Sequence, residues 1–242
     1  MDFSAQAATA DLLLRNVSPA RFETYRAVAH GRAHAAQLYR WNLAVSGALH
    51  ESIAIVEIAL RNAMDRELRT WNLARSGITQ EWAKEPAAPL ASLLNPRPQY
   101  STYVKALKQA LDSRDVRDAG HRRYGAPITH DDIVANVTFG TWKKLLPRRM
   151  QNGQIGPGPQ RGLWEHALHR AFPNHPHATA VHYWVSHVHA LRNRVAHAEP
   201  LLHCDFRGYH RMATRLLRAI DVDLGQWHSG VSRVPELVAR RP

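Results

Sequence analysis

The sequence predicts an all-α fold, built as an up-and-down bundle of helices. Between residues 33 and 68, apolar side chains recur every three or four positions, which is the period of an α-helix. A second run with the same period covers residues 181–195. Stretches that alternate apolar and polar residues, as strands do, are scarce. Two long amphipathic helices must cover each other's apolar faces, so we expect them to form the core of the bundle.

The sequence predicts one or two long helices at its N-terminal half and several shorter ones. One or two long helices account for residues 33–68, with the break near Gly47 if there are two. Thr129 or Asp131 can cap the helix that begins near residue 131. The shorter helices are predicted over residues 102–111, 131–145, 163–171 and 208–220.

Two irregular insertions interrupt this pattern. Residues 86–98 contain four prolines, and residues 152–159 mix glycine with proline, so neither stretch can remain helical throughout. The helices before and after these insertions depend on each other for burial. We therefore expect a single domain over residues 1–242, with a helical core at about 33–220 and an extension at each end.

Composition narrows the class of protein. With 242 residues and 45% hydrophobic content, the chain can bury a sizeable core. The single cysteine, Cys204, excludes an internal disulfide framework and suits a reducing compartment. No run approaches 18 apolar residues and the first residues do not resemble a signal peptide, so we expect a cytoplasmic protein that does not enter a membrane. Phosphate-binding glycine loops are absent, which argues against ATP or GTP hydrolysis.

The charge is strongly positive. Lys and Arg number 32 against 20 Asp and Glu, a net charge of +12 that favours polyanionic partners. One basic cluster surrounds Trp142, which either stacks on nucleic-acid bases or belongs to the core. A second follows one face of the helix at 208–220, where the alternative is an ordinary solvated face. The candidate contacts to an RNA backbone are Lys143, Lys144, Arg211 and Arg215, with Arg148 and Arg149 close to the first pair.

Residues 191–200, which read Leu-Arg-Asn-Arg-Val-Ala-His-Ala-Glu-Pro, gather the side chains that RNA cleavage without a metal requires. A histidine such as His197 can move a proton near neutral pH, as general acid or base. An arginine stabilises the charge that develops on the phosphoryl oxygens. Arg192 suits this role, and Arg194 is a second possibility.

The spacing leaves the geometry of this segment open. Asn193 precedes His197 by four residues, so on a helix it can orient the imidazole or bind a phosphate oxygen. Arg192 lies about 140° around the helix from His197. The two converge only through the length of the arginine, an irregular turn near Pro200, or a second subunit. From spacing alone, the favoured explanation is that Arg192 and Glu199 are capping or salt-bridging groups at a helix end and that His197 is a cation stabilised by the helix dipole.

The segment also resembles a known family. The Arg-x4-His spacing of Arg192 and His197 is similar to the signature of the HEPN superfamily. The amino acids of this segment resemble the Abi-like (abortive infection) branch of that superfamily. Matches in the same order span roughly residues 35–205. Residues 38–42 and 57–65 resemble the N-terminal half of that family, and residues 138–146 resemble its central aromatic segment. Ala198 departs from the family, which often has a second histidine there, and Glu199 replaces a tyrosine that some HEPN toxins carry.

The resemblance implies a HEPN-like bundle and a homodimer in which two copies of the motif meet in one cleft. It implies a metal-independent endoribonuclease without a cofactor, acting as an antiphage abortive-infection or toxin-type effector with an antitoxin or a phage-derived trigger. The implied catalytic residues are Arg192, Asn193 and His197, and the supporting residues are Glu57, Arg61, Asn62, Arg194 and Glu199.

Alternatives stay open at this stage. A non-catalytic RNA-binding or regulatory protein, or a dimerisation module, would contain the same residues. Glu57 and Arg61 have the four-residue spacing of a structural ion pair on a helix. The resemblance implies instead that they line the cleft. His182 and His189 share a helical face and can approach the motif, although partly buried structural histidines are the alternative. The 16 histidines do not repeat a known zinc-ligand spacing, so we expect no metal site.

Overall fold

The computed structural model describes residues 11–97, 99–148, 150, 154–174 and 176–242. The described residues are 67% helical and contain no strand, which confirms the all-α class. Residues 11–16 are helical and precede the first helix with described bounds. The helices are α1 (Pro19–Arg26), α2 (Arg32–Ser76), α3 (Leu90–Leu94), α4 (Thr102–Asp115), α5 (His130–Ala135), α6 (Phe139–Lys144), α7 (Pro159–His166), α8 (Ala178–Ala196), α9 (Phe206–Ile220), α10 (Val222–Val231) and α11 (Val234–Ala239), with a 3-10 turn at Leu168–Ala171.

Helix α2 is continuous over 45 residues. Of the two alternatives, the single helix without a break at Gly47 is confirmed, because buried residues flank that glycine on both sides and keep the helix against the core. The helix ends at Gly77, whose φ of 69° is left-handed and whose N–H bonds to the carbonyl of Leu73 at 2.8 Å. Its buried face begins at Ala35 and ends at Asn72.

Helix α2 also contains an 18-residue window that is apolar enough to cross a membrane, judged by length and composition alone. In this fold 39% of that window is buried inside the protein. A helix at the centre of a bundle needs the same composition, because it is covered on several sides. The buried residues of α2 supply part of this apolar composition.

Helices α8 and α9 pack against α2 and against each other, which places both of the apolar runs found in the sequence in one core. The inner face of α8 presents Val181, Val185, Val188 and Leu191, all at most 2% exposed. Helix α10 turns back onto α9, and α6 packs on α8. The core also extends beyond residues 33–220, since Phe22 of α1 and Val234 of α11 are buried in the same cluster.

Two of the predicted helices are divided. The range 131–145 contains α5 and α6, because Thr138 starts a new helix by accepting a hydrogen bond from the N–H of Thr141. Thr129 caps α5 as expected, in a capping box with Asp132. The range 163–171 contains the end of α7 and the 3-10 turn. Prediction of one continuous helix was wrong in both ranges.

The irregular insertions are shorter than predicted. Residues 86–98 include α3, and α7 begins at Pro159, which suits the first turn because proline lacks an N–H. Within the second insertion, residues 152 and 153 lie outside the described part of the chain.

Helix α11 is held against α2 and against the loop that follows α8. The indole Nε1–H of Trp41 donates to the carbonyl of Leu237 at 2.7 Å. The guanidinium of Arg241 lies 5.1 Å from the centre of the Trp41 ring and donates to the carbonyl of Leu202 at 3.0 Å. The C-terminal helix therefore reaches the segment that continues from residues 191–200.

A fully buried histidine joins α2, α9 and α10. The Nε2 of His228 lies 2.6 Å from the hydroxyl of Ser52, and its Nδ1 lies 3.1 Å from the hydroxyl of Thr214. The ring of His210 stacks on it, with centroids 5.3 Å apart. Burial, assisted by the neighbouring His210, lowers the pKa of His228 from 6.5 to about 4. The imidazole is therefore neutral in the folded protein at neutral pH.

This burial predicts a loss of stability in acid. Below pH 6.5 the unfolded chain binds a proton at His228 while the folded chain does not, so the free energy of unfolding falls as the pH drops toward 4. The full effect is roughly 3 kcal/mol. Urea unfolding of the wild type and of His228→Gln across this pH range measures it, and the variant should show a shallower dependence.

The exposed His203 supplies the control, since His203→Gln should keep the wild-type pH dependence. If the free energy of unfolding falls equally with decreasing pH in the wild type and in His228→Gln, His228 is not the cause of the loss of stability in acid.

Candidate functional site

Helix α8 remains regular through the motif. It ends at Ala196, and the N–H of His197 bonds to the carbonyl of Asn193 at 3.0 Å. Asn193 and His197 are therefore one helical turn apart, as expected. The helix gives Arg192 a different direction from His197, because five residues correspond to about 140° of rotation.

The irregular turn lies after His197. Ala198 has a φ of 50°, in the left-handed region that favours glycine. The N–H of Ala198 bonds to the carbonyl of Val195 at 3.0 Å, and that of Glu199 bonds to the carbonyl of Arg194 at 2.9 Å. These two bonds form a Schellman cap. Because the cap begins beyond the imidazole, it does not turn Arg192 toward His197.

Arg194 fastens the loop that follows this cap. Its guanidinium donates to the carboxylate of Glu199 at 3.1 Å, to the carbonyl of Pro200 at 2.8 Å and to the sulfur of Cys204 at 2.8 Å. Burial raises the pKa of the Cys204 thiol despite the nearby guanidinium. The buried Asn42 holds the same loop, since its side-chain oxygen accepts the N–H of Leu201 at 2.8 Å. Glu199 thus has the helix-end role that spacing alone suggested, but its partner is Arg194 and not Arg192.

Arg192 lies in a different environment. It is exposed, makes no hydrogen bond or ion pair with any described residue, and lines a cleft of about 450 Å³ together with Glu57. Helices α2, α4 and α8 and the segment that joins α5 to α6 form this cleft. Its polar lining comes from Glu57, Gln109, Asp112, Ser113, Asn136, Thr138 and Arg192. The unpaired guanidinium of Arg192 can bind an oxyanion at the part of the cleft away from the carboxylates of Glu57 and Asp112.

One wall of the cleft is fixed by contacts from α2. Arg61 donates to the carbonyl of Ala135, at the end of α5, at 3.2 Å. Asp65 accepts hydrogen bonds from Trp82 Nε1 at 2.7 Å and from His130 Nε2 at 3.1 Å. Burial alone would raise the pKa of Asp65, but the hydrogen bonds it accepts from His130, Trp82 and Arg69 hold it below its usual value. These bonds attach α5 to α2 and so position the wall.

Glu57 and Arg61 do not form the ion pair that their spacing allows. Arg61 bonds to the wall of the cleft, whereas Glu57 faces the cleft without a partner among the described residues. Asn62 is exposed and does not line the cleft. Of the predicted site residues, the structure brings Glu57 and Arg192 together.

His197 lies outside this cleft. It is exposed at the end of α8 and its imidazole has no hydrogen-bond partner in the described chain. Asn193 is half-buried and does not line the cleft either. A single chain therefore does not place Arg192 and His197 in one cavity.

The two basic clusters have different surroundings. Trp142 is 1% exposed and packs edge-on against Trp82, which assigns it to the core rather than to a stacking surface. Lys144 is exposed, with its ammonium 5.9 Å from the centre of the Tyr100 ring. Arg149 lies outside the described residues. Lys143 is directed to α8, where its ammonium contacts His189.

Arg211 and Arg215 form an exposed stripe with Arg207 on α9, and none has a described partner. Arg207 and Arg211 also line a separate cavity of about 240 Å³ between α9 and α11. Burial and the nearby Cys204 raise the pKa of Tyr209, which lies about 200° around α9 from Arg211. None of the three arginines of the stripe lines the Arg192 cleft.

His189 lies beside the cleft in a polar and aromatic setting. Its ring stacks on Phe139, with centroids 5.6 Å apart and planes at 12°, and Lys143 Nζ lies 3.3 Å from its Nδ1. Burial lowers the pKa of His189, and the charges of Lys143 and Arg192 lower it further. The sequence suggested that this histidine shares a helical face with His182 and can approach the motif.

Sequence reasoning missed the contributions of Gln109, Asp112 and Asn136 to the cleft. No local signal marks these residues, because they reach the cleft only through the packing of α4 and α5. Among the described residues, no group of three His, Cys, Asp or Glu side chains is placed to hold a metal ion.

Three segments that are far apart in sequence meet at the cleft. Glu57 comes from residues 57–65, Thr138 and Phe139 come from residues 138–146, and Arg192 comes from residues 191–200. No family model, curated protein or solved structure matches the chain. The interpretation of the site therefore depends on its geometry and on the residues themselves.

The left-handed conformation of Ala198 predicts a stabilising substitution. Ala198→Gly removes the steric cost of a Cβ at positive φ and should raise the free energy of unfolding by about 1 kcal/mol. Chemical denaturation of the two proteins measures the change.

Ala196→Gly, two residues earlier in regular helix, is the matched control and should lower stability by roughly 0.5–1 kcal/mol. If both substitutions lowered stability equally, Ala198 would not adopt the left-handed conformation in solution.

Proposed function

We propose that this protein is a metal-independent endoribonuclease of the antiphage abortive-infection or toxin type, which acts as a homodimer. One observation carries the proposal: the guanidinium of Arg192 lies in a polar cleft with Glu57 and has no partner in the described chain. Its neighbour Arg194 meets the structural needs of the helix end. Arg192 is therefore free to bind a phosphate.

The position of the cleft supports the same function. The segments that resemble the Abi-like HEPN family supply Glu57, Thr138 and Arg192 to one cavity. The net charge of +12 favours association with RNA. We infer that the protein acts in the cytoplasm, where an antitoxin or a phage-derived trigger controls it.

In the proposed reaction the ribose 2′-oxygen attacks the adjacent phosphorus and the bond from phosphorus to the 5′-oxygen breaks. The 2′-hydroxyl loses its proton and the leaving oxygen gains one. His197 transfers protons in these steps, and Arg192 stabilises the charge on the phosphoryl oxygens. Asn193 orients the imidazole, and the Glu57 carboxylate accepts a hydrogen bond from a ribose hydroxyl. The products are a 2′,3′-cyclic phosphate and a 5′-hydroxyl.

A second copy of the chain would complete this site. His197 of one chain lies outside the cleft that its own Arg192 lines. A two-fold dimer can bring the end of α8 in one copy to the cleft of the other. The same observation also favours the second candidate, an RNA-binding protein that grips a phosphate with Arg192 and does not cleave.

Cleavage of total bacterial RNA in excess EDTA distinguishes these functions. We expect the wild type to cleave, leaving cyclic phosphates. Loss of a transition-state contact in Arg192→Ala should lower the rate about 10²–10³-fold, and loss of proton transfer in His197→Ala should lower it about 10²–10⁴-fold. Quantified cleavage rates and mapping of the cut ends provide the measurement.

Two exposed residues without described partners supply controls: Arg122→Ala and His203→Ala should cleave at the wild-type rate. Salt-sensitive RNA binding without cleavage by any of the proteins would favour the RNA-binding function.

The composite site makes a separate prediction. If Arg192 and His197 act across the dimer, mixing Arg192→Ala with His197→Ala subunits creates heterodimers with one intact site, and activity should return to about a quarter of wild type after random exchange. Cleavage after denaturation and joint refolding measures this. A mixture that stays as inactive as the separate variants would place both residues in one chain's site.

A further inference from the structure

His189 has an environment that its role as a half-buried helical residue does not explain. Its ring is fixed by stacking on Phe139, which lines the Arg192 cleft. Its Nδ1 faces the ammonium of Lys143 at 3.3 Å. Three residues later on the same helix comes Arg192, so the two side chains are neighbours on the surface of α8.

The contact with Lys143 fixes the protonation of the ring. An ammonium group has only donors, so the Nδ1 of His189 must accept and therefore carries no proton. The remaining ring proton is then on Nε2. Burial and the charges of Lys143 and Arg192 lower the pKa of His189, which keeps the ring in this neutral form. His189 is thus a neutral hydrogen-bond donor through Nε2.

The Nε2–H group is open to a ligand. It has no hydrogen-bond partner in the described chain. Unlike Trp142 Nε1 and His210 Nδ1, which are buried without a partner, it is not a buried unpaired atom. Gly140 lies beside it, and a Cβ at that position would approach Nε2 to 3.4 Å. The glycine therefore leaves space beside Nε2, next to Phe139 at the edge of the Arg192 cleft.

We propose that His189 donates its Nε2–H to the same phosphate group that Arg192 binds, and that Lys143 is a positioning residue that fixes the tautomer of the ring. The identification of this phosphate as part of an RNA strand rests on the proposed function. Two donors at different angles would hold two oxygens of one phosphate, and Lys143 adds a nearby positive charge.

Binding of a short 2′-O-methylated oligoribonucleotide tests the proposal apart from cleavage, because this ligand lacks the attacking hydroxyl. His189→Phe keeps the aromatic stack but removes the donor and should weaken binding about tenfold or more. His189→Gln restores a donor at a similar reach and should bind more tightly than His189→Phe. Gly140→Ala should weaken binding by narrowing the space before Nε2 without lowering thermal stability, since alanine favours a helix.

The control is His187→Phe on the same helix, because the Nδ1 of His187 contacts the carbonyl of Tyr183 and its ring lies about 200° from His189. It should bind as the wild type does. Equal affinity of His189→Phe and the wild type would overturn the proposal, as would failure of the wild type to bind.

Imidazole ¹⁵N NMR tests the role of Lys143 directly. The resonances absent in His189→Gln identify the ring, and the wild type should show a protonated Nε2 and a bare Nδ1 at neutral pH. The Nε2 signal should shift on addition of inorganic phosphate. Lys143→Met should give mixed tautomers and Lys143→Arg should restore the wild-type pattern, whereas an unchanged tautomer in Lys143→Met would overturn the positioning role.

These outcomes separate the two proposals. Weaker oligonucleotide binding by His189→Phe, in a protein that never cleaves RNA, would support the phosphate contact and contradict the endoribonuclease. Normal binding by His189→Phe in a protein that cleaves RNA would do the reverse.

Discussion

Burial of one face of α2 is the constraint on which the rest of the fold depends. At 1.5 Å per residue this helix extends about 68 Å, longer than the diameter expected for a compact chain of this size. Helices α1, α5, α8, α9 and α11 all contact it, so they share one rigid axis. The same axis carries Glu57 to the cleft and holds the cleft wall through Arg61 and Asp65. The same helix therefore supports the packing of the core and positions the residues of the cleft.

The two arginines of the motif, Arg192 and Arg194, have different surroundings. Arg194 donates hydrogen bonds to Glu199, Pro200 and Cys204, and these bonds stabilise the helix end and the following loop. Arg192, two residues earlier, keeps its donors free in a polar cleft. A guanidinium without protein partners remains hydrated, so an incoming phosphate replaces water rather than an existing ion pair. The contrast between the two neighbours separates an unpaired guanidinium from a structural one, which their spacing in sequence could not do.

Much of this architecture follows from local pattern, because α2, α8 and α9 each repeat buried residues at helical spacing. The division of residues 131–145 did not follow, since Thr138 begins a helix only where the chain has already turned at Asn136. The meeting of Glu57 with Arg192 required tertiary packing, and so did the contributions of Gln109 and Asp112. The 140° between Arg192 and His197 was predictable from helical geometry, and the regular course of α8 through Ala196 preserves it. Trp142 shows the limit of composition, because a tryptophan beside two lysines belongs to the core.

The contact between α11 and the loop after α8 gives the end of the chain an influence on the motif. Arg241 bonds to Leu202 while it covers the ring of Trp41, and the neighbouring Asn42 bonds to Leu201. A truncation or fusion that displaces α11 would loosen the same loop that Arg194 closes, although α11 does not line the cleft. A displaced α11 would therefore change the shape of a loop that lies outside the cleft.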